Sequence, residues 1–415
     1  MEKLPQIIRL SYSGHCPAGR IHIGGSKSIS NRVLILKALS STCGKITNLS
    51  DADDTQTLLK LLASNENELN AGHAGTTFRF LTAYLCLQDG TRMLTGSPQL
   101  QKRPVGPLVD ALIQLGASIE YVGETGYPPL KITGPLSVQT NKVSIRSDIS
   151  SQFLSALCMI GPKLKGGLTI ELTGDQVSKP YLDMTLSMMK EFGASVKEEG
   201  SVIIIAEGDY NIPDYMVESD WSSASYYFAL AAMAKDAHIQ LTDFKAISLQ
   251  ADSAIKGIAS KIGVIEKVAD NVLHIKSAFS PSDSIEHDFI KHPDIAQTLA
   301  VTSAACDIPI SYRGLKTLSI KETDRVAALQ TELAKIGVTL EKDPSGIYEY
   351  VQDGEPKINE PVFDTYEDHR MAMSLAPIAL LAPIQIKNPQ VVSKSYPNFW
   401  KDLESLGFVI EVVGG

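Results

Sequence analysis

"LIQLGASIEYV", residues 112–122, reads as the apolar end of a helix, a glycine, and a short β-like run. The same arrangement returns as "MMKEFGASVKEE" (188–199), "IASKIGVIEKV" (258–268), "ELAKIGVTLEK" (332–342) and "DLESLGFVIEVV" (402–413). Its glycines, Gly116, Gly193, Gly263, Gly337 and Gly407, lie 70 to 77 residues apart. Each fits a helix C-cap, where glycine enters the left-handed region without a Cβ penalty. A fixed period of this kind marks a chain built from repeated units.

A second pattern precedes each of these. A small polar cluster opens an apolar segment at "SKSISNRVLILKAL" (26–39), "HAGTTFRFLTAYLCL" (73–87), "DISSQFLSALCMI" (148–160), "DWSSASYYFALAAMA" (220–234), "DIAQTLAVTSAA" (294–305) and "DHRMAMSLAPIALL" (368–381). Ser, Thr and Asp at the front are N-cap chemistry. The helices that follow are apolar on most faces, which predicts burial. Strand-like runs such as "KITNLS", "TRMLTGS", "LTIELTG", "HIQLTDF" and "IQIKNP" lie between the two patterns. Six units of the form β-α-β-α-β-β fit the chain, with the second half of the first degraded at "SNENELNA".

These units predict an α/β fold of two similar domains with buried parallel helices, an inside-out α/β barrel type with a cleft between the domains. Residues 21–219 form one domain of three units. Residues 1–20 and 220–415 form the other, which takes the N-terminal strand. Buried helices that share a direction present their N-termini together. Such ends carry partial positive charge and unpaired N–H groups, so the cleft suits anions. Two domains closing on an anion are expected, because it bridges helix ends that otherwise repel.

Composition narrows the partners. With a net charge of −9, the 415-residue chain lacks the broad basic face that nucleic acid or an anionic membrane needs. No apolar run is long enough to span a bilayer. The start "MEKLPQIIRLSYSG" lacks the apolar core of a signal peptide. The five cysteines are scattered, without C-x-x-C, which points to a reducing, cytoplasmic compartment. The eight histidines show no metal-ligand spacing, so no metal is expected.

Against this acidic background, cations recur at the unit heads and in the loops. Lys27 and Arg32 stand in the first head, Arg79 in the second and Arg370 in the sixth. "QKRP" adds Lys102 and Arg103, "VSKPY" adds Lys179, "IKETDR" adds Lys321 and Arg325, and "VSKSYP" adds Lys394. Taken singly, a Lys or Arg is a solvated surface charge. Recurrence at corresponding places points instead to a substrate carrying carboxylate and phosphate, which guanidinium groups bind in bidentate fashion. "GRIHIGGSKS" has the spacing of a phosphate-binding loop at Gly19 and Gly24, but Gly25 stands where that loop needs Lys.

Taken together, "GGSKSISNR", "HAGTTFRFLTA", "LTGSPQLQKRPVGPLVDAL", "SSQFLSAL", "VSKPYLDMTL", "KETDRVAALQTEL" and "TYEDHRMAMS" resemble the signatures of the 5-enolpyruvylshikimate-3-phosphate synthase family, the 3-phosphoshikimate 1-carboxyvinyltransferases. The resemblance runs from about residue 20 to residue 400. It implies the shikimate-pathway step toward chorismate and the aromatic amino acids. The 5-hydroxyl of shikimate-3-phosphate attacks C2 of phosphoenolpyruvate, C3 is protonated, and phosphate leaves. It also implies no cofactor, a monomer, and the target of glyphosate.

The residue roles below are implied by that resemblance. Asp294 is the base at the shikimate hydroxyls, Glu322 serves the proton transfers at C3, and Lys27 assists as acid. Lys27, Ser28, Arg32, Ser150, Ser151, Gln152, Ser178, Tyr181, Asp294 and Lys321 bind shikimate-3-phosphate. Lys27, Gly75, Arg103, Gln152, Arg325, Arg370 and Lys394 bind phosphoenolpyruvate. Read from the residues alone, Glu322 is equally a salt-bridged loop residue and Asp294 an N-cap. Four positions depart from the family pattern: His73 stands for Asn, Gln99 for Arg, Thr317 for Asn, and Trp221 for a smaller residue. Two alternatives share the scaffold. A UDP-N-acetylglucosamine enolpyruvyl transferase would carry Lys-Asn at the first head and a loop cysteine, where this chain has Lys27-Ser28 and "SPQLQKRP". A non-catalytic sensor of phosphorylated metabolites would not need both carboxylates.

Overall fold

All five repeat glycines take left-handed backbone angles, from φ 74° at Gly263 to φ 108° at Gly116. At Gly116 a side chain is excluded outright, because a Cβ would lie 1.9 Å from the Ser137 carbonyl oxygen. The computed structural model describes residues 7–413 except 149, 175–178, 279, 280, 283, 316, 317, 320, 345 and 353–355. Ser178 and Thr317 therefore lie outside the described residues.

The chain divides into a continuous unit, Gly25–Val217, and a split unit, Met1–Gly24 with Glu218–Gly415. In the continuous unit, helices α1 (Lys27–Leu39), α3 (Gly75–Leu85) and α5 (Ser151–Ile160) pack against one another at the centre. Helices α2 (Asp53–Leu62), α4 (Gly106–Leu115) and α6 (Lys179–Glu191) alternate with them along the chain. In the split unit the central three are α7 (Trp221–Met233), α9 (Ala296–Ala305) and α11 (His369–Leu375). They alternate with α8 (Lys256–Ala259), α10 (Arg325–Ala334) and α12 (Phe399–Ser405). The central helices are apolar nearly all round, and each trio lies within its own unit's hydrophobic core.

Three four-stranded sheets surround the split core. In each, one neighbouring pair is parallel and the rest are antiparallel. The N-terminal segment supplies strands to two of them: Ile7–Tyr12 between Ile384–Lys387 and Phe408–Val412, and Ala18–Ile21 beside His238–Thr242. The continuous unit has two such sheets. Where a third is expected it has two short parallel pairs, Thr42–Cys43 with Asn211–Ile212 and Ile46–Thr47 with Tyr215–Met216. These pairs belong to the degraded first repeat, where α2 ends at Ala63 in right-handed geometry without a glycine stop. The fourth repeat departs too. Its second helix shrinks to α8 between the 3₁₀ turns Ala251–Ile255 and Ser260–Ile262.

Four of the six central helices carry the expected side-chain cap. Ser26 accepts from Ile29 N, Ser150 from Gln152 N, Asp220 from Ser223 N and Asp368 from Arg370 N. Helix α3 follows Ala74 without one, and α9 grows out of the 3₁₀ turn Pro293–Ile295. Cross-helix hydrogen bonds place the heads at one end of each unit. Ser225 of α7, Thr298 of α9 and Ser374 of α11 join at 3.0 and 3.3 Å, all within two turns of their helix starts. In the continuous unit, Gln152 of α5 donates to Thr76 of α3 at 2.9 Å, and Arg32 of α1 donates to Ser155 of α5 at 3.2 Å.

Candidate active site

Each unit gathers polar and charged side chains at its helix heads. In the split unit the organiser is Arg325, the buried first residue of α10. Asp324 caps that helix by accepting from Val326 N and Ala327 N. The guanidinium donates through Nε to Asp368 at 2.7 Å, through Nη1 to Asp294 at 3.2 Å and through Nη2 to Glu322 at 3.0 Å. Asp294 and Glu322, far apart in sequence, thus share one arginine. Arg370 donates to the other Asp294 oxygen at 2.9 Å, and Lys321 Nζ lies 3.7 Å from Asp294. Lys394, on the 3₁₀ turn Pro389–Lys394, donates to Glu322 at 2.9 Å.

Charge states follow from this packing. Burial pushes the Asp294 carboxyl up, but Arg370, Lys321 and Arg325 outweigh it and hold the group well below the usual carboxylate range. Burial pulls the Lys321 ammonium down, with Asp294 opposing. Burial also disfavours the Arg325 cation, yet Asp368, Glu322 and Asp294 together raise its pKa. Asp294 is not an N-cap: it sits within the turn Pro293–Ile295, and its oxygens serve cations. Glu322 is the salt-bridged loop residue that the sequence allowed.

The continuous unit assembles different chemistry. Arg32 is buried and, among the described residues, donates to neutral oxygens: Thr185 Oγ1 at 2.7 Å, Ser155 Oγ at 3.2 Å, and the carbonyls of Ser28 and Tyr181 at 2.8 and 3.1 Å. Burial lowers its pKa to about 10, with Tyr181 acting the other way. Lys27 Nζ lies 3.5 Å from Asp54. Arg79 donates to Gln152 Oε1 at 2.6 Å and packs over the Phe153 ring at 5.3 Å. A Cβ on Gly75 would lie 2.6 Å from Arg103 Nη1 and 3.2 Å from Arg79 Nη1, so this glycine lets two guanidinium groups approach the α3 head. Ser151 is buried beside the capping Ser150, and Gln152 joins α3 to α5.

The structure therefore brings Asp294, Lys321, Glu322, Arg325, Arg370 and Lys394 into one cluster. In the other unit it brings Arg32 to Tyr181, Lys27 to Asp54, and Gly75, Arg103 and Gln152 to Arg79. Sequence reasoning missed Asp368 and Asp54 as parts of these networks, and Ser222 and Asp252, which join them at Arg370. Asp368 had a signal, since it opens the polar helix head "DHRMAMSLAPIALL". Asp54 and Asp252 had none. Of the departures, exposed His73 pairs with Ser97 Oγ at 2.9 Å, and Gln99 leads into the turn Leu100–Lys102. Trp221 is fully buried, edge-on to Phe244, with its indole N–H donating to Glu218 at 2.8 Å. Among the described residues, no group of three or more His, Cys, Asp or Glu is placed to hold a metal ion. No described helix is long and apolar enough to cross a membrane.

Comparison with known proteins adds to the geometry. The family model described as EPSP synthase (3-phosphoshikimate 1-carboxyvinyltransferase) matches residues 15–64 and 60–403. A 3-phosphoshikimate 1-carboxyvinyltransferase of Bacteroides fragilis is 44% identical over 396 residues, covering 94% of this chain and 96% of its own. One from Vibrio atlanticus is 37% identical over 419 residues, covering 94% and 97%. A solved EPSP synthase of Acinetobacter baumannii superposes with a TM-score of 0.78 over 98% of this chain and 100% of its own. At 22% identity that last likeness is one of fold.

Proposed function

We propose, from the premise that the chain belongs to the EPSP synthase (3-phosphoshikimate 1-carboxyvinyltransferase) family, a division of labour between its two clusters. The reaction transfers the enolpyruvyl group of phosphoenolpyruvate to the 5-hydroxyl of shikimate-3-phosphate and releases phosphate. Addition needs one group to take the hydroxyl proton and another to deliver a proton to C3; elimination then removes a C3 proton as phosphate departs. The observation that carries the assignment is the shared arginine: Asp294 and Glu322 both accept from Arg325.

In this reading Asp294 receives the 5-hydroxyl proton and Glu322 serves C3, with Lys27 assisting as acid. Asp294 is a weak base while three cations face it. Anionic substrates that engage Arg370, Lys321 and Lys394 draw off part of that positive field, so both carboxylates gain basicity when substrate is bound. Phosphoenolpyruvate is taken by Lys27, Gly75, Arg103, Gln152, Arg325, Arg370 and Lys394. Shikimate-3-phosphate is taken by Lys27, Ser28, Arg32, Ser150, Ser151, Gln152, Ser178, Tyr181, Asp294 and Lys321. The hydroxyl-rich head of the continuous unit suits a phosphate, which accepts hydrogen bonds from Ser and from helix N–H groups. The test is phosphate release from the two substrates by wild type and by Glu322→Gln and Asp294→Asn. Full turnover in either variant removes that carboxylate from the chemistry. A monomeric, cytoplasmic enzyme completes the proposal; its cysteines are all free, as a reducing compartment requires. Light scattering in solution tests the monomer, and a dimer mass overturns it.

A further inference from the structure

Asp252 is a buried carboxyl that none of these roles uses. It lies on the turn Ala251–Ile255, where the fourth repeat lost its second helix. Ser222, the second residue of α7, donates its hydroxyl to Asp252 Oδ2. The same hydroxyl oxygen accepts from Arg370 Nη2 at 3.4 Å, and that nitrogen donates to Asp294 at 2.9 Å. One hydrogen-bonded chain therefore runs Asp252–Ser222–Arg370–Asp294.

Ser222 has a single proton and two lone pairs. Facing an Asp252 carboxylate, it donates its hydrogen bond to Asp252 and keeps both lone pairs for Arg370. Facing a protonated Asp252, it accepts a hydrogen bond from the acid with one lone pair, and its hold on Arg370 weakens. Ionised Asp252 also adds a negative charge beside the guanidinium, which lessens its pull on an anion.

We propose that Asp252 is a positioning residue for phosphoenolpyruvate capture: acting through Ser222, it governs how far Arg370 is available to the anionic substrate. This rests on the reading of Arg370 as a phosphoenolpyruvate ligand. The groups facing Asp252 are Ser222 and Asp220 from the α7 head, Arg370 from α11, and Asp294 from the turn before α9. Burial and then Asp294 push its carboxyl up to about 7, against Arg370 and Ser222, so the change of state falls in the neutral range.

The experiment measures kcat and KM for phosphoenolpyruvate from about pH 6 to about pH 8.5, with shikimate-3-phosphate saturating, in wild type, Asp252→Asn and Ser222→Ala. Asn mimics the protonated acid. The wild-type KM, divided by that of Asp252→Asn, should climb roughly tenfold across the range, a coupling of ordinary size within one network. Substrate ionisations cancel in this ratio. Ser222→Ala should lose most of the climb, and it stands in for Asp252→Asn if the latter fails to fold. A merely structural role would shift KM or kcat by one factor at every pH, so a flat ratio overturns the proposal. Arg370→Gln separates the two readings. An unchanged KM there defeats the placement of Arg370, and the Asp252 proposal with it. A raised KM beside a flat ratio defeats Asp252 alone.

Discussion

Arg32 and Arg325 are both buried arginines at a helix head, one in each unit, and their surroundings are opposite. Arg325 meets three carboxylates; Arg32 meets two hydroxyls and two carbonyls. One is a charge already balanced, whose role is to hold Asp294, Glu322 and Asp368 in fixed relation. The other is a buried cation without a carboxylate partner among the described residues, an arrangement that costs stability. The split unit thus surrounds its buried arginine with carboxylates, and the continuous unit surrounds its own with neutral oxygens. Removing each arginine should expose the difference most strongly. Arg325→Met takes a shared cation from three carboxylates, leaving Asp294 to Arg370 and Lys321 and Glu322 to Lys394, and should lower unfolding stability by about 3–5 kcal/mol. Arg32→Met leaves only neutral acceptors short of a donor and should lower it by about 1–3 kcal/mol. Urea unfolding of both variants measures the gap, and equal losses would erase the contrast.

Glu322→Gln tests the split unit's chemical role. The amide keeps the shape and one of the two acceptor oxygens that Arg325 and Lys394 use, but cannot carry the proton. Turnover should fall by roughly 100-fold or more while substrate binding changes little. Pre-steady-state phosphate release alongside calorimetric binding reads both quantities. A binding loss as large as the rate loss would make Glu322 a structural salt-bridge residue.

Much of this was legible beforehand because the repeats write the same instructions several times. The left-handed glycines and the polar helix heads follow from short-range chemistry, and Gly116, Ser150 and Asp368 behave as the pattern requires. What stayed hidden depended on distance in sequence. Nothing local to Asp54 shows that it faces Lys27, and nothing in "QADS" shows that Asp252 reaches Ser222, thirty residues earlier. The collapse of the first repeat's sheet into two short pairs also escaped, because its partner strands come from residues 211–216 at the far end of that unit. Trp221 looked like a misfit only while its environment was unknown. Glu218, the acceptor for its indole, is buried too, and takes further hydrogen bonds from Lys245 N, Ser248 and Gln250.

A gentler probe of the split unit is Asp252→Asn, read as stability against pH. The folded carboxyl sits near 7, above its ordinary value, so folding takes up a proton between the two. The wild type's stability from this group is therefore complete below the ordinary carboxyl pKa and is lost as pH rises through about 7. Asn never ionises and escapes that loss. The variant should be more stable to unfolding than wild type at neutral and alkaline pH, by up to about 2 kcal/mol after allowance for relaxation. The advantage should fade toward pH 4. A constant offset would mean that Asp252 does not change charge in this range.

The smallest expected effect lies in the continuous unit, at the departure that looked least explicable. His73 is exposed, and its Nδ1 meets Ser97 Oγ, which also accepts from Leu100 N at 3.2 Å. The imidazole therefore meets the α3 head only indirectly, by steadying the turn that leads to Arg103. Asn at this position can also reach Ser97 with an oxygen or an amide. His73→Asn should change KM for phosphoenolpyruvate by no more than about twofold, the scale of an ordinary surface substitution. A larger change would place the imidazole itself in the site and make the continuous unit's chemistry less purely a matter of Lys, Arg and hydroxyls.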